Sequence, residues 1–336
     1  MASLGTPSKA EGEAHLIHAD RWPKVAVVIL NWNNALDTLA CLNSVVRLDY
    51  PHCHMIVVDN GSTDGSASRI GTAFPEVEVL ELDANLGYAG GNNVGLTYAL
   101  AVGADYILIL NNDTLVHPSM LAELIAIIEE FPQIGMAGPT MYCVDPANVL
   151  FAAGSFIHWA RGSLRHRGMF EPATRYAQIT QPGPVDFIVG CGVLVQRKVI
   201  EAIGGYNPAY YLNFEDVEWG VKAWQAGFEV WHVPQAMMWH KVSATLGRAS
   251  PANTYYMTRN ALLFFWRNAP DHLRWLAISH ILLRTLRTIS AWTLKPRYHQ
   301  DGFRRKRDAN LLALRDFFQG RFGEMGPDVA RICYGG

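Results

Sequence analysis

The sequence contains few cysteines, and none of them stands in a CxxC pair. Five cysteines occur in 336 residues, at Cys41, Cys53, Cys143, Cys191 and Cys333. Their odd number and wide spacing argue against a disulfide framework and against a cysteine-based zinc site. This usage is typical of a reducing compartment, so a cytoplasmic location is expected.

Long apolar runs and a signal sequence are also missing. No run of roughly 18 uncharged apolar residues occurs, so no transmembrane helix is predicted. Residues 1–23 are mostly polar, small or charged and lack an apolar centre, which indicates a flexible N-terminal tail rather than a signal peptide. Secretion is therefore not expected.

The sequence also has no strong excess of positive or negative charge and none of the common phosphate-binding loops. The formal net charge is −2, half of the residues are hydrophobic and 17% are charged, which indicates a globular protein and gives no reason to expect a nucleic-acid partner. No Gly-Lys-Ser/Thr occurs, and no GxGxxG follows the first predicted strand. These absences argue against a P-loop nucleotidase and a Rossmann dinucleotide-binding domain.

What the sequence does contain is a regular alternation of strand and helix patterns. Strands are predicted at 24–30, 54–59, 77–82 and 104–110, with helices at 35–48, 65–72, 90–102 and 119–130. The short connections predict an α/β fold with a mostly parallel central sheet and helices on both faces.

The pattern is less regular after residue 130. We predict a strand at 185–195, helices at 198–203 and 215–226, a strand at 229–233 and an extended segment at 236–240. One domain is expected over 24–250, made of the segments 24–115 and 116–250. Residues 251–336 are predicted to form a helical, basic C-terminal extension.

Polar side chains follow three of the predicted strands, where α/β sheets bind their ligands. Asn31-Trp32-Asn33-Asn34 follows the first strand, and Asp59 ends the second, where its carboxylate could accept the imide N–H of uracil or thymine. Asn111-Asn112-Asp113 ends the fourth and offers oxygen ligands for Mg²⁺ or Mn²⁺. Each of these segments is equally compatible with ordinary turn chemistry.

Three further segments have a functional and a structural interpretation. The glycine-rich run from Asn85 to Gly95 begins a helix whose N-terminus could face an anion, or it is simply a capped helix start. Glu215, Asp216 and Glu218 stand at another helix start, where they could supply a general base or only favour the helix dipole. His240 could bind a metal or be an ordinary buried or surface residue.

The C-terminal region combines apolar and basic residues. Between 259 and 307 there are nine Arg and two Lys against two Asp. One helical face is predicted to carry Trp275, Ile278, Leu282, Leu286, Ile289 and Trp292. This helix either packs on the catalytic domain or lies on an anionic membrane, which would place residues 257–307 on the inner face of the cell membrane.

The order of these segments resembles the inverting GT-A glycosyltransferases of family 2, particularly their rhamnosyltransferase-like branch. The likeness covers about residues 24–265 through Asn31-Trp32-Asn33, VVDNGSTDGS, NLGYAGGNN, LILNNDT, NFEDVEWG and Trp239-His240. It implies a GT-A catalytic domain over 24–250, with a nucleotide-sugar-binding half (24–115), which would bind a UDP- or dTDP-sugar, and an acceptor-binding half (116–250). The implied donor-binding residues are Asn31, Asn33, Asp59, Asn85, Gly87, Asn92, Asn111, Asn112 and Asp113.

The same resemblance implies a metal site and a catalytic base. Asp113 and His240 would bind Mg²⁺ or Mn²⁺, with Asn111 in place of the first acid of the family's Asp-x-Asp motif. Asp216 would be the base, with a pKa lowered by the helix N-terminus, and Glu215 would position a substrate. In addition, Arg259 and Trp239 would contact the acceptor or the diphosphate.

The implied reaction is inverting, metal-dependent transfer of a sugar, with dTDP-L-rhamnose as the leading donor. The acceptor would be a hydroxyl of a glycan or of a lipid-linked saccharide. Two alternatives are a non-catalytic sugar-nucleotide-binding or scaffold protein and a sugar nucleotidyltransferase. The nucleotidyltransferase would need Arg and Lys directly after the first strand, where the chain has Asn31-Trp32-Asn33-Asn34.

Overall fold

The computed structural model describes residues 22–241 and 250–335. Its strands are β1 (Val25–Asn31), β2 (Cys53–Asp59), β3 (Glu78–Glu81), β4 (Tyr106–Asn111), β5 (Thr114–Val116), β6 (Ile134–Cys143), β7 (Leu150–Ala152), β8 (Ser155–His158), β9 (Ser163–His166), β10 (Gly183–Pro184), β11 (Gly192–Gln196) and β12 (Glu229–His240). Its α-helices are α1 (Ala35–Val45), α2 (Ser66–Ala73), α3 (Gly87–Ala101), α4 (Met120–Glu130), α5 (Arg197–Ile203), α6 (Glu215–Gln225), α7 (Pro251–Asn268), α8 (Asp271–Leu294), α9 (Asp301–Phe318) and α10 (Pro327–Tyr334).

The central sheet is mixed and mostly parallel, as predicted. Its strands follow the order β10-β12-β6-β11-β4-β1-β2-β3, with β5 paired to β12 and β7 to β6. The order places β1 between β2 and β4, parallel to both, while β11 runs antiparallel between β4 and β6. Consecutive residues of β1 and β4 are buried because helices and loops cover both faces of the sheet.

Helix α3 lies unusually close to the sheet because two of its residues are glycines. A Cβ on Gly95 would lie 2.3 Å from the Val28 side chain, and one on Gly91 would lie 2.5 Å from that of Leu30. Only a residue without a side chain allows the helix to approach this closely. The approach places the start of α3 beside the carboxyl ends of β1 and β2.

The structure corrects three of the predicted boundaries. The strand expected at 185–195 is confined to β11, and 185–191 is irregular chain that approaches the start of α6. Helix α3 begins at Gly87 rather than at residue 90. The segments predicted at 229–233 and 236–240 form one strand, β12, interrupted by an irregularity between Val233 and Met237.

The C-terminal residues form four helices that pack on the rest of the molecule. The predicted helical stretch is two helices, α7 and α8, separated at Pro270, and the polar end of the chain adds α9 and α10. The predicted apolar face of α8 is divided, since Ile278 is buried whereas Trp275 and Leu286 are exposed. Within 22–241 and 250–335, no helix is both long and apolar enough to cross a membrane.

Candidate active site

The first two strands end in a network of short polar contacts. Parallel pairing sets Asn31 opposite Asp59, and the Asn31 amide donates to the Asp59 carboxylate over 2.5 Å. The other Asp59 oxygen accepts from the backbone N–H of Ser62 at 3.1 Å. Asn33, at φ +48°, accepts from the backbone N–H of Thr63 at 2.8 Å. Hydrogen bonds therefore join the loop after β1 to the loop after β2, beside the buried Asp59 carboxylate.

A pocket of about 560 Å³ opens beside this network. It is lined by eight of the predicted site residues, namely Asn85, Gly87, Asn111, Asn112, Asp113, Glu215, Asp216 and His240. Asp59, Asn31 and Asn33 do not line it, but Asn60, the neighbour of Asp59, does. The Asn60 amide donates to Asn85 Oδ1 at 2.9 Å and joins the β2 end to the start of α3.

Asp113 and His240 meet through the pairing of β5 with β12. Thr114 stands opposite His240 in this ladder, and His240 Nε2 lies 3.2 Å from Asp113 Oδ1. Burial lowers the pKa of His240, but Cys191 and Asp113 raise it more strongly, to about 10. A divalent cation bound here would displace the imidazole proton, after which the His240 nitrogen and the Asp113 carboxylate could each turn a lone pair toward it.

The residues around this pair fit a divalent cation that is shared with a substrate. Asp113 supplies a carboxylate, His240 an imidazole nitrogen, and Asn111 a buried amide oxygen that has no hydrogen-bond partner among the described residues. No group of three or more His, Cys, Asp and Glu residues suited to a metal occurs in the described ranges. A cation here would therefore take its other ligands from phosphate oxygens and water, as Mg²⁺ commonly does.

The two acids at the start of α6 have different surroundings. Asp216 Oδ2 accepts from the backbone N–H of Gly190 at 2.9 Å, and Oδ1 accepts from that of Val217 at 2.8 Å. Glu215 Oε2 is buried and has no hydrogen-bond partner among the described residues. The preceding residues Asn213 and Phe214 both have positive φ, a strained backbone that is commonly found at functional sites.

The expected lowering of the Asp216 pKa is wrong. Burial raises the pKa of Asp216 above its ordinary value, although the hydrogen bonds from Gly190 and Val217 oppose the shift. Burial is the larger cause that raises the pKa of Glu215 well above its usual range, and the charge of Asp216 is the smaller one. Burial therefore disfavours a charge on both acids, and a charge on Asp216 further disfavours one on Glu215.

Gly190 and Tyr88 are site residues that the sequence did not identify. The Tyr88 hydroxyl donates to the Gly190 carbonyl at 2.7 Å, while the Gly190 N–H contacts Asp216. A Cβ at position 190 would lie 3.0 Å from the Tyr88 hydroxyl. The glycines around Cys191 were the available signal, since glycine often marks a close backbone approach.

The C-terminal helices complete the other end of the pocket. Tyr256 and Met257 of α7, Glu324 and Tyr334 all line it. The rings of Tyr256 and Tyr211 stack with centroids 5.4 Å apart and planes 14° from parallel. No local pattern marks these residues, because their proximity to the sheet edge depends on how the C-terminal helices fold back.

Two predicted contacts lie outside the pocket. Asn92 is fully buried in α3, where its amide donates to the Tyr88 carbonyl at 2.9 Å. Trp239 follows the strand alternation, so it points away from the face that carries His240, and its ring stacks on Tyr142. Neither side chain lines the pocket, so their predicted contacts with substrate stay predictions.

Arg259 also lies outside the pocket. Its guanidinium is fully buried and donates to the Gly323 carbonyl at 2.8 Å, the Asn260 amide oxygen at 3.0 Å and the Tyr255 hydroxyl at 3.1 Å. It also lies over the rings of Tyr255 and Tyr256, about 5 Å from their centroids. The guanidinium is thus used to join α7 to neighbouring chain segments.

Arg259→Met is expected to lower the free energy of unfolding by about 3 kcal/mol, since several buried acceptors lose their donor. Urea unfolding measures this change, and Arg69→Met, an exposed arginine of α2, is the control that should leave stability within about 0.5 kcal/mol of the wild type. An unchanged urea midpoint together with a raised KM would return Arg259 to the substrate site.

Similar proteins share both the sequence pattern and the fold. The Glycosyl transferase family 2 model matches residues 26–204. N-acetylglucosaminyl-diphospho-decaprenol L-rhamnosyltransferase of Mycobacterium tuberculosis is 26% identical over 257 residues, covering 69% of this chain and 81% of that protein. The dTDP-rhamnosyl transferase RfbF of Shigella flexneri is 22% identical over 252 residues, covering 73% and 80%.

A solved structure is similar over most of its length. The mannosyltransferase PcManGT from Pyrobaculum calidifontis, in complex with GDP-Man and Mn²⁺, has a TM-score of 0.56 and 16% identity, and covers 90% of this chain and 89% of its own. At this identity the likeness concerns the fold, which is GT-A. Because the family model spans more than half of the chain, the protein belongs to glycosyl transferase family 2, whose enzymes transfer sugars from nucleotide-sugar donors.

Proposed function

We propose that the enzyme transfers a sugar with inversion from a UDP- or dTDP-sugar, with Asp216 as base and Mg²⁺ or Mn²⁺ bound by Asp113 and His240. The single observation that supports this most is that these three side chains line one pocket at the carboxyl edge of the sheet. The dTDP-L-rhamnose donor is favoured by the names of the two relatives, which are rhamnosyltransferases.

The donor's base would lie beside Asp59. This carboxylate is buried, already oriented by Asn31 and the Ser62 N–H, and suited to accept the imide N–H that uracil and thymine share. The diphosphate would then extend past Asn85 and Gly87 toward Asp113. A methyl group is the only difference between the two bases, so the carboxylate contact alone does not distinguish them.

The charge of the pocket supports a cation. Among the described residues that line it there are four carboxylates, Asp113, Glu215, Asp216 and Glu324, and no Lys or Arg. A diphosphate would therefore meet net negative charge unless a metal neutralised it. When bound, a divalent cation stabilises the negative charge that develops on the departing diphosphate.

Asp216 is positioned to act as the base. Its ionised carboxylate takes the proton of the acceptor hydroxyl while that oxygen forms a bond to the anomeric carbon and the bond to the diphosphate breaks on the opposite face. Glu215, whose pKa is raised by burial, stays protonated and so adds no second negative charge beside the base. One displacement inverts the anomeric configuration, so the mechanism needs no nucleophile from the protein.

The C-terminal extension, residues 251–336, would complete the acceptor side. Tyr256, Met257 and Tyr334 present aromatic and thioether surfaces to the pocket, which suit the apolar face of a sugar ring. A glycan or a lipid-linked saccharide fits this surface. The name of the Mycobacterium tuberculosis relative favours the lipid-linked form, and membrane contact through residues 257–307 would bring such an acceptor near the pocket.

A panel of nucleotide sugars tests the proposed donor. With Mn²⁺, dTDP-L-rhamnose or a UDP-sugar should raise the melting temperature, since a ligand at 100 times its Kd contributes about 2.7 kcal/mol. Slow hydrolysis of the same donor should be detectable without acceptor. GDP-mannose is the control, and stabilisation by it alone would contradict the role of Asp59. If the donor raised the melting temperature equally when EDTA replaced Mn²⁺, the proposed role of the metal would be contradicted.

A further inference from the structure

Helix α8 carries an exposed stripe of large apolar side chains. The stripe consists of Trp275, Leu276, Leu283, Leu286 and Leu294, with Trp275 68% and Leu294 76% exposed. At 3.6 residues per turn these five positions fall within about 100° of the helix circumference. The polar residues Ser279 and Ser290 share this face, but a row of large exposed apolar side chains on one helix face is typical of an interaction site rather than of an ordinary solvated helix.

The opposite face of α8 is already fixed to the protein. Ala277, Ile278 and Ile281 are buried. On the flank, His280 Nδ1 donates to the Ala160 carbonyl at 2.8 Å and Arg284 donates to the Gly162 carbonyl at 2.9 Å. The orientation of the stripe is therefore determined by packing, and it faces outward.

A basic groove of about 660 Å³ runs along one side of the stripe. Its lining includes Arg161, Arg284, Arg287 and His280, with the aromatic ring of Trp292. None of these three arginines forms an ion pair with another described residue, and the sequence from 272 to 300 contains no Asp or Glu. The groove is thus a cluster of uncompensated positive charge next to an apolar surface.

We propose that α8 docks on an anionic phospholipid bilayer, with the stripe inserted at the interface and a lipid phosphate bound in the groove. Uncompensated arginines match the negative surface of such a bilayer, and exposed Trp and Leu beside them match its headgroup–acyl boundary. A second copy of the chain suits this face less well, because the same face of the copy, with no Asp or Glu from 272 to 300, offers the arginines no negative charge. The docking does not depend on the chemistry of sugar transfer.

The test is flotation of the full chain with vesicles at low salt. It should float with vesicles that contain phosphatidylglycerol and remain unbound with pure phosphatidylcholine. Arg284→Gln/Arg287→Gln should weaken partitioning about 30-fold, because each lost charge near the surface reduces binding by roughly fivefold. Arg47→Gln/Arg69→Gln removes the same charge from exposed positions on the nucleotide-binding half and should float like the wild type.

A second variant tests the stripe separately. Trp275→Ser/Leu286→Ser should lose flotation while it hydrolyses donor at the wild-type rate, which shows that the fold is intact. Flotation of this variant at the wild-type level would overturn docking by α8. So would equal binding to neutral vesicles, or a wild-type dimer in solution that the Trp275→Ser/Leu286→Ser variant converts to monomer. Loss of donor turnover in the wild type would instead concern the proposed function and leave the docking result standing.

Discussion

Asp216→Asn should lower the rate of sugar transfer by about 10³-fold while leaving donor affinity nearly unchanged. The amide has the size of the carboxylate and can still accept from the Gly190 N–H, so the backbone around the pocket is preserved. It cannot take a proton from the acceptor hydroxyl at neutral pH. Single-turnover kinetics at saturating donor and Mn²⁺ measure the rate, and calorimetric titration measures donor binding.

Glu218→Gln is the matched control on the same helix. Glu218 is buried and accepts from the Tyr210 hydroxyl at 3.0 Å and the Asn207 amide at 2.9 Å, away from the pocket. We expect this variant to lose about 1–3 kcal/mol of stability and little of its transfer rate per folded molecule. Wild-type turnover in Asp216→Asn would remove Asp216 from the role of base.

The pH dependence gives a second measure of Asp216. Because burial raises its pKa, the carboxylate should become protonated, and transfer should fall, at a pH above the ordinary value of 3.8. The pH at which kcat/KM falls on the acid side of its pH profile (the acid limb), recorded at saturating Mn²⁺, measures this protonation. Glu215→Gln should leave the limb in place, since Asp216 ionises before Glu215. Disappearance of the limb in Glu215→Gln would identify Glu215 as the base.

Asp113→Asn should remove most of the response to Mn²⁺ and lower transfer by about 10²- to 10³-fold at a fixed Mn²⁺ concentration. Asp113 contacts His240 at 3.2 Å, so the variant replaces the charged oxygen ligand of this site with a neutral amide. The electron paramagnetic resonance signal of free Mn²⁺ measures metal affinity without reference to activity. The same titration in the presence of donor shows how far substrate phosphates compensate.

Asn111→Asp is the informative counterpart, because it adds a carboxylate beside Asp113. The Asn111 amide oxygen is buried and has no hydrogen-bond partner among the described residues. A carboxylate oxygen in its place would add a negative charge, so the Asn111→Asp variant should bind Mn²⁺ more tightly than the wild type. Unchanged Mn²⁺ affinity in both variants would contradict the metal site at this edge of the sheet, even if Asp113→Asn were inactive.

Much of the fold of residues 24–115 followed from local sequence patterns. The apolar runs at 24–30, 54–59 and 104–110 predicted β1, β2 and β4 because strands buried on both faces require continuous β-branched and apolar residues. Their polar ends were recognisable because parallel strands share one carboxyl edge. The acids at 215 and 216 were recognisable because they begin a helical pattern.

Side-chain direction and packing were the information that the sequence lacked. Successive side chains of a strand point to opposite faces, so Trp239 points away from the face that carries His240. The packing of α7 buries Arg259 rather than exposing it. The same limit applies to Asp216, whose pKa depends on how much water the surrounding segments exclude. No local pattern contains these quantities.

By itself, therefore, the sequence determined the α/β alternation, the polar strand ends and the acid pair, because each depends on residues that are neighbours in the chain. Only the tertiary structure decided that Gly190 and Tyr88 contact the Asp216 region, that Tyr256 and Tyr334 complete the pocket, and which face of α8 meets solvent. These contacts join residues that are not neighbours in the chain, such as Tyr88 and Gly190, 102 positions apart, and their geometry is set by the packing of the chain.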